Sequence, residues 1–287
     1  MYRLLYGIQN YEWGKLGKDA LIANLYAATN GVAVEEKPYA EMWMGTHPSL
    51  PSKLVVDGKQ VLLSDFLKEN PSALGKATAE TTKPELPYLF KILSIEKALS
   101  IQAHPDLERA KRLHEKKPDL YKDPNHKPEM AIALTNFECF CNFCPKPEII
   151  ANLTTYKPVS DLIPVEYLKD FDLAEENSDK AKSCLQKILA KVVDLENDVV
   201  KSTVDAMLDE ISKKSELTVR DKLVKRLHAQ FPHDIGIIMS LFLNYTELKP
   251  YEAVVLHPNE PHSYLFGECV ESKIFKKCSG QSLIDFS

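Results

Sequence analysis

Glycine is scarce, with 10 in 287 residues, and none falls in a G-x-G-x-x-G or G-x-x-x-x-G-K-[ST] pattern. The usual sequence support for a nucleotide cofactor is therefore missing. No excess of cationic residues exists either: 36 Lys and Arg stand against 41 Asp and Glu, for a net charge of -5. A nucleic-acid partner, which needs a basic footprint, is not expected. No apolar run approaches the roughly 20 residues of a bilayer crossing, the longest being Ile235–Leu243. Met1–Tyr6 lacks the apolar stretch and small-residue cleavage site of a secretory leader, so the expectation is a cytoplasmic chain with no membrane partner. Six irregularly spaced cysteines are too few for a disulfide framework and predict reduced thiols.

What the sequence does contain divides into three stretches, 1–146, 147–244 and 245–287. The first carries short apolar segments between turn signals: Leu54–Val56 closed by Asp57-Gly58, Tyr88–Ser94 and Glu129–Leu134, all read as strands. Val61–Leu74, with Ser64 near its start, is read as a helix. In the second stretch the period changes to that of a helix. Cys184, Leu185, Ile188, Leu189, Val192 and Val193 recur at three and four, Val204, Met207, Leu208 and Ile211 continue the pattern, and Thr218 with Asp221 forms a cap signal. The third returns to strand, with Ala253–Leu256, a Pro258–Pro261 turn and alternation from His262. The fold class expected is mixed and mainly β: a jelly-roll barrel with a helical insertion.

Chemistry concentrates in Ser100–Asp106. If this stretch is a strand, Gln102 and His104 project to one face and offer an amide oxygen and an imidazole to one point. Glu129 and His262 supply a carboxylate and a second imidazole from other segments, giving a four-donor set suited to zinc. The residues alone leave a second reading open, in which Gln102 and His104 are hydrogen-bonded strand residues and Glu129 pairs with Lys127. Cys139, Cys141 and Cys144 lack a fourth ligand pattern and read as small core residues, and His114, His228 and His233 show no partner pattern.

Five motifs go further: Trp13-Gly14, Lys37–Pro48, Leu99–Asp106, Asn125–Leu134 and Asn259–Glu271. In content and order the chain from about Tyr11 to Glu271 resembles type I mannose-6-phosphate isomerase. The resemblance implies a cupin enzyme with a helical insertion and one zinc ion per chain, held by Gln102, His104, Glu129 and His262. It implies interconversion of mannose 6-phosphate and fructose 6-phosphate through an enediol, supplying mannose 6-phosphate for GDP-mannose synthesis, by a monomer whose partner is the sugar phosphate. Glu271 is the first choice for the catalytic base and Lys127 the second. Lys91 and Ser100 match positions near the phosphate and sugar hydroxyls, while Trp13, Glu41 and Tyr264 line the pocket. The last three can also be read as a core aromatic, a structural ion pair and a strand residue.

Beyond Glu271 the chain departs from the family pattern. Gln281 stands where the family carries an arginine, and Lys273, Lys276 and Lys277 are the cations nearby. An amide cannot supply the bidentate contact of a guanidinium. The C-terminal cupin domain of the family has no counterpart in the sequence, so a truncated or alternatively spliced product with slow turnover is the expectation. Two alternatives accompany it: a zinc-binding remnant without turnover, and a cupin oxygenase with iron on His104, Glu129 and His262. Gln102 argues against the oxygenase, because it would fill a position such an iron site leaves open.

Overall fold

A computed structural model of the chain describes residues 2–75, 78, 86–121 and 124–274. Gln281, Lys276 and Lys277 lie outside the described residues. Contacts divide the chain into two units, one of Met1–Cys139, Glu247–Glu260 and Tyr264–Ser287, the other of Phe140–Thr246 and Pro261–Ser263.

Among the described residues eight strands join in one sheet: β1 (Gly7–Gln9), β2 (Glu41–Met44), β3 (Tyr88–Ile95), β4 (Glu129–Ala133), β5 (Phe137–Phe143), β6 (Leu243–Leu248), β7 (Ala253–Leu256) and β8 (His262–Ile274). Their order is β6-β5-β8-β3-β2-β1, with β4 between β8 and β7. The thirteen-residue β8 is the spine, pairing antiparallel with β3 over Gly267–Ile274 and with β4 over Cys269–Lys273. The expected mainly-β class with inserted helices holds, in a cupin-like arrangement whose hydrogen-bonded path runs open from β6 to β1. Among the described residues no helix is long and apolar enough to cross a membrane.

Smaller elements flank the sheet. A hairpin of Lys53–Val56 and Lys59–Leu62 turns at Asp57 and Gly58, both with positive φ, as a tight two-residue hairpin requires. Among the described residues this unit also holds the helices α1 (Leu21–Asn30), α2 (Leu63–Glu69) and α3 (Leu107–Lys116). Two local expectations need correction. The helix expected over Val61–Leu74 begins at Leu63, because Val61 and Leu62 are held in the hairpin, and Ser64 is not its cap. Ser100–Asp106 is not a strand: it carries no regular element, with only Gln102 in an isolated bridge.

The helical unit contains α4 (Lys146–Thr155), α5 (Lys157–Ser160), α6 (Val165–Leu173), α7 (Asp179–Val193), α8 (Asn197–Ser212), α9 (Val219–Gln230) and α10 (Ile235–Met239). Its core is the stripe expected from periodicity: Cys184, Ile188 and Val192 from α7 with Val204, Met207 and Ile211 from α8. Thr218 closes a capping box with Asp221 at the start of α9. The same carboxylate, fully buried, accepts from the Tyr156 hydroxyl at 2.8 Å and pairs with Lys214 at 2.6 Å. Burial opposes its ionisation, yet the bonds from Lys214, Thr218 and Tyr156 outweigh burial and hold its carboxyl below the usual aspartate value.

Two predictions follow from these contacts. Gly267 has φ near +104°, and a Cβ there would lie 2.3 Å from the Asn136 carbonyl oxygen and 2.9 Å from the Phe137 Cα. Gly267→Ala therefore combines backbone strain of about 1–3 kcal/mol with overpacking of about 1–3 kcal/mol, and urea unfolding of the two proteins measures the loss. Asp221→Asn is expected to cost about 2 kcal/mol near neutral pH. Because Asp221 has a depressed folded value, its contribution is complete above the ordinary aspartate pKa of about 3.9 and disappears as pH falls through the folded one. Acid unfolding of both proteins should show the gap closing in that window; a gap unchanged at pH 3 contradicts the assignment.

Candidate active site

The register of the central strands determines which side chains meet. β8 places Glu271 opposite Lys91 of β3 and Lys273 opposite Glu129 of β4, while β2 places Trp43 opposite Lys91. Opposite charges in directly facing positions attract, and the result is a continuous row of ion pairs. Lys91 Nζ lies 3.0 Å from Glu41 Oε2 and 3.7 Å from Glu271 Oε2. Lys273 Nζ lies 3.4 Å from Glu271 Oε1 and 2.8 Å from Glu129 Oε1. Trp43 braces the row, its indole N–H donating to Glu41 and its ring lying under the Lys91 ammonium at 4.7 Å.

Burial makes this row costly. Glu271, Glu129 and Lys91 are 2%, 3% and 8% exposed, and removing each charge from water costs several kcal/mol before pairing. Three carboxylates face two ammoniums, so the row itself is one negative charge in excess and favours a further cation. Burial pushes the Glu271 carboxyl above the usual glutamate range; Lys273 and Lys91 oppose that shift, and Glu129 and Glu41 add to it. Burial alone would lower Lys273, but Glu271 and Glu129 outweigh it and hold the ammonium charged. Tyr264, 4% exposed, is pushed well above its ordinary value by burial and then by Glu271, so its phenol stays neutral.

At the end of the row His104 Nε2 lies 3.0 Å from Glu129 Oε1. Donor atoms of His104, Glu129 and His262 all fall within 4.8 Å of one another. Zinc ligands in a tetrahedral site stand roughly 3.5 Å apart, so small side-chain shifts bring these three to binding geometry. Two neutral imidazoles and a carboxylate suit zinc, and the negative excess of the row favours the ion electrostatically.

The remaining predicted residues occupy varied settings. Gln102 is exposed and donates its amide N–H to Ser100 Oγ at 3.3 Å, which leaves its oxygen as the atom suited to a metal. Trp13 is half-buried and stacks on Tyr11 at 5.9 Å. Lys127 is half-buried in the irregular segment just before β4. The Tyr264 hydroxyl is buried with no hydrogen-bond partner among the described residues, and its ring meets Phe137 edge-on at 5.3 Å. Sequence reasoning left Lys273 without a direction. Strand alternation carries the missing signal, since Lys273 is two residues beyond Glu271 on β8 and shares its face.

Comparison with known proteins places the chain in a family. Residues 1–146 match the type I phosphomannose isomerase catalytic domain, and residues 162–243 match the helical insertion domain of that family. Mannose-6-phosphate isomerase 1 of Arabidopsis thaliana is 42% identical over 276 residues, covering 94% of this chain and 64% of the relative. The mannose-6-phosphate isomerase of Homo sapiens is 40% identical over 283 residues, covering 94% of this chain and 66% of the relative. Among solved structures, a zinc-bound mannose 6-phosphate isomerase superposes with a TM-score of 0.78 at 29% identity, over 95% of this chain and 68% of that one. A mutant of phosphomannose isomerase from Salmonella typhimurium gives 0.79 at 29% identity, over 96% and 68%. The chain thus spans a little under two thirds of the length of these curated relatives. With a catalytic-domain match over half its length and an insertion-domain match beyond it, the chain belongs to the type I phosphomannose isomerase family.

Proposed function

We propose that this chain interconverts mannose 6-phosphate and fructose 6-phosphate, with zinc held by His104, Glu129 and His262 and by the Gln102 oxygen. The observation that carries this reading is a buried carboxylate, Glu271, joined through Lys273 to the carboxylate of the His104, Glu129 and His262 cluster. A zinc ion bound there would polarise the sugar oxygens at C1 and C2. The reaction moves one proton between these carbons through an enediol, so it needs a single group that first accepts and then returns it. Glu271 suits that task, because burial raises its basicity and Lys91 and Lys273 keep its anion tolerable. Lys127 remains the second candidate for the proton. Tyr264 offers a neutral buried hydroxyl, and Lys91 with Ser100 offers a cation and a donor for the phosphate and hydroxyls. In a cytoplasmic setting the product would feed GDP-mannose synthesis.

Incubation of the zinc-loaded chain with mannose 6-phosphate in deuterium oxide tests the proposal. Fructose 6-phosphate formation with deuterium entering the sugar is expected, together with its loss on chelation and return with zinc. Glu271→Gln should lower kcat by about 10²–10⁴-fold, while zinc content stays unchanged. Full activity in that variant would remove Glu271 from the role. Iron instead of zinc in the purified protein would favour the oxygenase alternative.

Lys273 generates a separate expectation, because its ammonium occupies the same Glu129 oxygen that faces His104. Lys273→Met should bind zinc at least tenfold more tightly in a competition titration with a chromophoric chelator. Weaker binding in the variant would show that Lys273 supports the metal carboxylate instead of competing for it.

A further inference from the structure

Away from the sheet, a second group of metal-ligating side chains comes together within the helical unit. Asp205 projects from α8, His228 from the last turn of α9, and His233 from the turn that joins α9 to α10. Their donor atoms all lie within 4.8 Å of one another. His233 Nε2 is 2.9 Å from Asp205 Oδ1, and the two imidazole rings meet at 4.9 Å between centroids with planes 73° apart. That angle is an edge contact, so the rings are not simply stacked.

We propose that Asp205, His228 and His233 form a second binding site for a divalent transition ion, zinc or one of similar preference, within the helical unit. The buried His228 Nε2 has no hydrogen-bond partner among the described residues. A buried polar nitrogen left in that state costs about 1–3 kcal/mol, and coordination of a cation by its lone pair removes the cost. Two neutral imidazoles and one carboxylate are a ligand set that zinc, cobalt and nickel accept, with the remaining positions taken by water. Access is open, since the Asp205 and His233 side chains are 54% and 31% exposed. The ligands come from two helices and the turn after them, so an ion here clips α8 to the end of α9 and stabilises the unit by mass action. No catalytic role is implied.

Zinc titration of the full chain, stripped of metal and followed with a competing chromophoric chelator, tests the site. His104→Ala removes a ligand of the sheet cluster and is expected to retain one zinc equivalent. His228→Ala in that background should abolish it, and Asp205→Asn, which keeps both imidazoles and a surface side chain of the same shape, should weaken it at least tenfold. In the His104→Ala protein zinc should also raise the melting temperature, and His228→Ala should erase that rise. Circular dichroism confirms that each variant is folded. Cobalt loaded into His104→Ala provides a readout independent of affinity, because its visible absorption bands should disappear with His228→Ala. A His104→Ala chain that binds no zinc at 100-fold molar excess overturns the proposal, as does binding unchanged by His228→Ala and Asp205→Asn. Failure of the sheet cluster instead leaves a different signature: the unmutated chain then binds a single equivalent that depends on His228 and not on His104.

Discussion

The register of β8 between β3 and β4 is the constraint on which the candidate active site depends. Alternate residues of a strand face opposite sides, so a one-residue slip would turn Glu271 and Lys273 away from Lys91 and Glu129 together. Gly267 stands at the first paired position with β3, and its positive φ lets the strand pass against the backbone of Asn136 and Phe137. The placement of two acid-base pairs therefore rests on a residue with no side chain.

Such a row is a poor source of stability and a good instrument for chemistry. Apolar residues of similar volume would hold the strands at least as well, because the desolvation of each buried ion consumes most of what pairing returns. What the ions provide is a set of charges fixed in a medium of low dielectric, where each responds strongly to its neighbours. Glu271 becomes a stronger base through burial and remains ionisable because two ammoniums flank it. The row ends on Glu129, which also belongs to the cluster with His104 and His262, so a cation held there would share one electrostatic field with Glu271.

Much of this was legible in the sequence wherever the determinant is local. Short apolar runs between turn signals located β3, β4 and β7, alternation located the start of β8, and helical periodicity located the stripe of Cys184, Ile188 and Val192. Thr218 and Asp221 announced the start of α9 through a mechanism confined to four residues. Ser100–Asp106 misled because a strand needs a neighbour, which local pattern does not supply. Val61 and Leu62 misled for the converse reason, since the Asp57-Gly58 turn drew them into a hairpin. Asp205, His228 and His233 met only through tertiary packing, with spacings that match no ligand motif.

The route between β5 and β6 has one further consequence. These strands are neighbours in the sheet although Phe143 and Leu243 are a hundred residues apart, and the Cys144 N–H donates to the Phe242 carbonyl at 2.8 Å where the excursion closes. A structureless loop of that length would cost about 4 kcal/mol in closure entropy, only about 2 kcal/mol more than a loop of ten residues. The logarithm makes length nearly irrelevant at such a junction. An ordered insert whose ends already sit side by side replaces even that small difference with a preformed bridge, so the sheet can host a whole helical unit at the entropic expense of a turn.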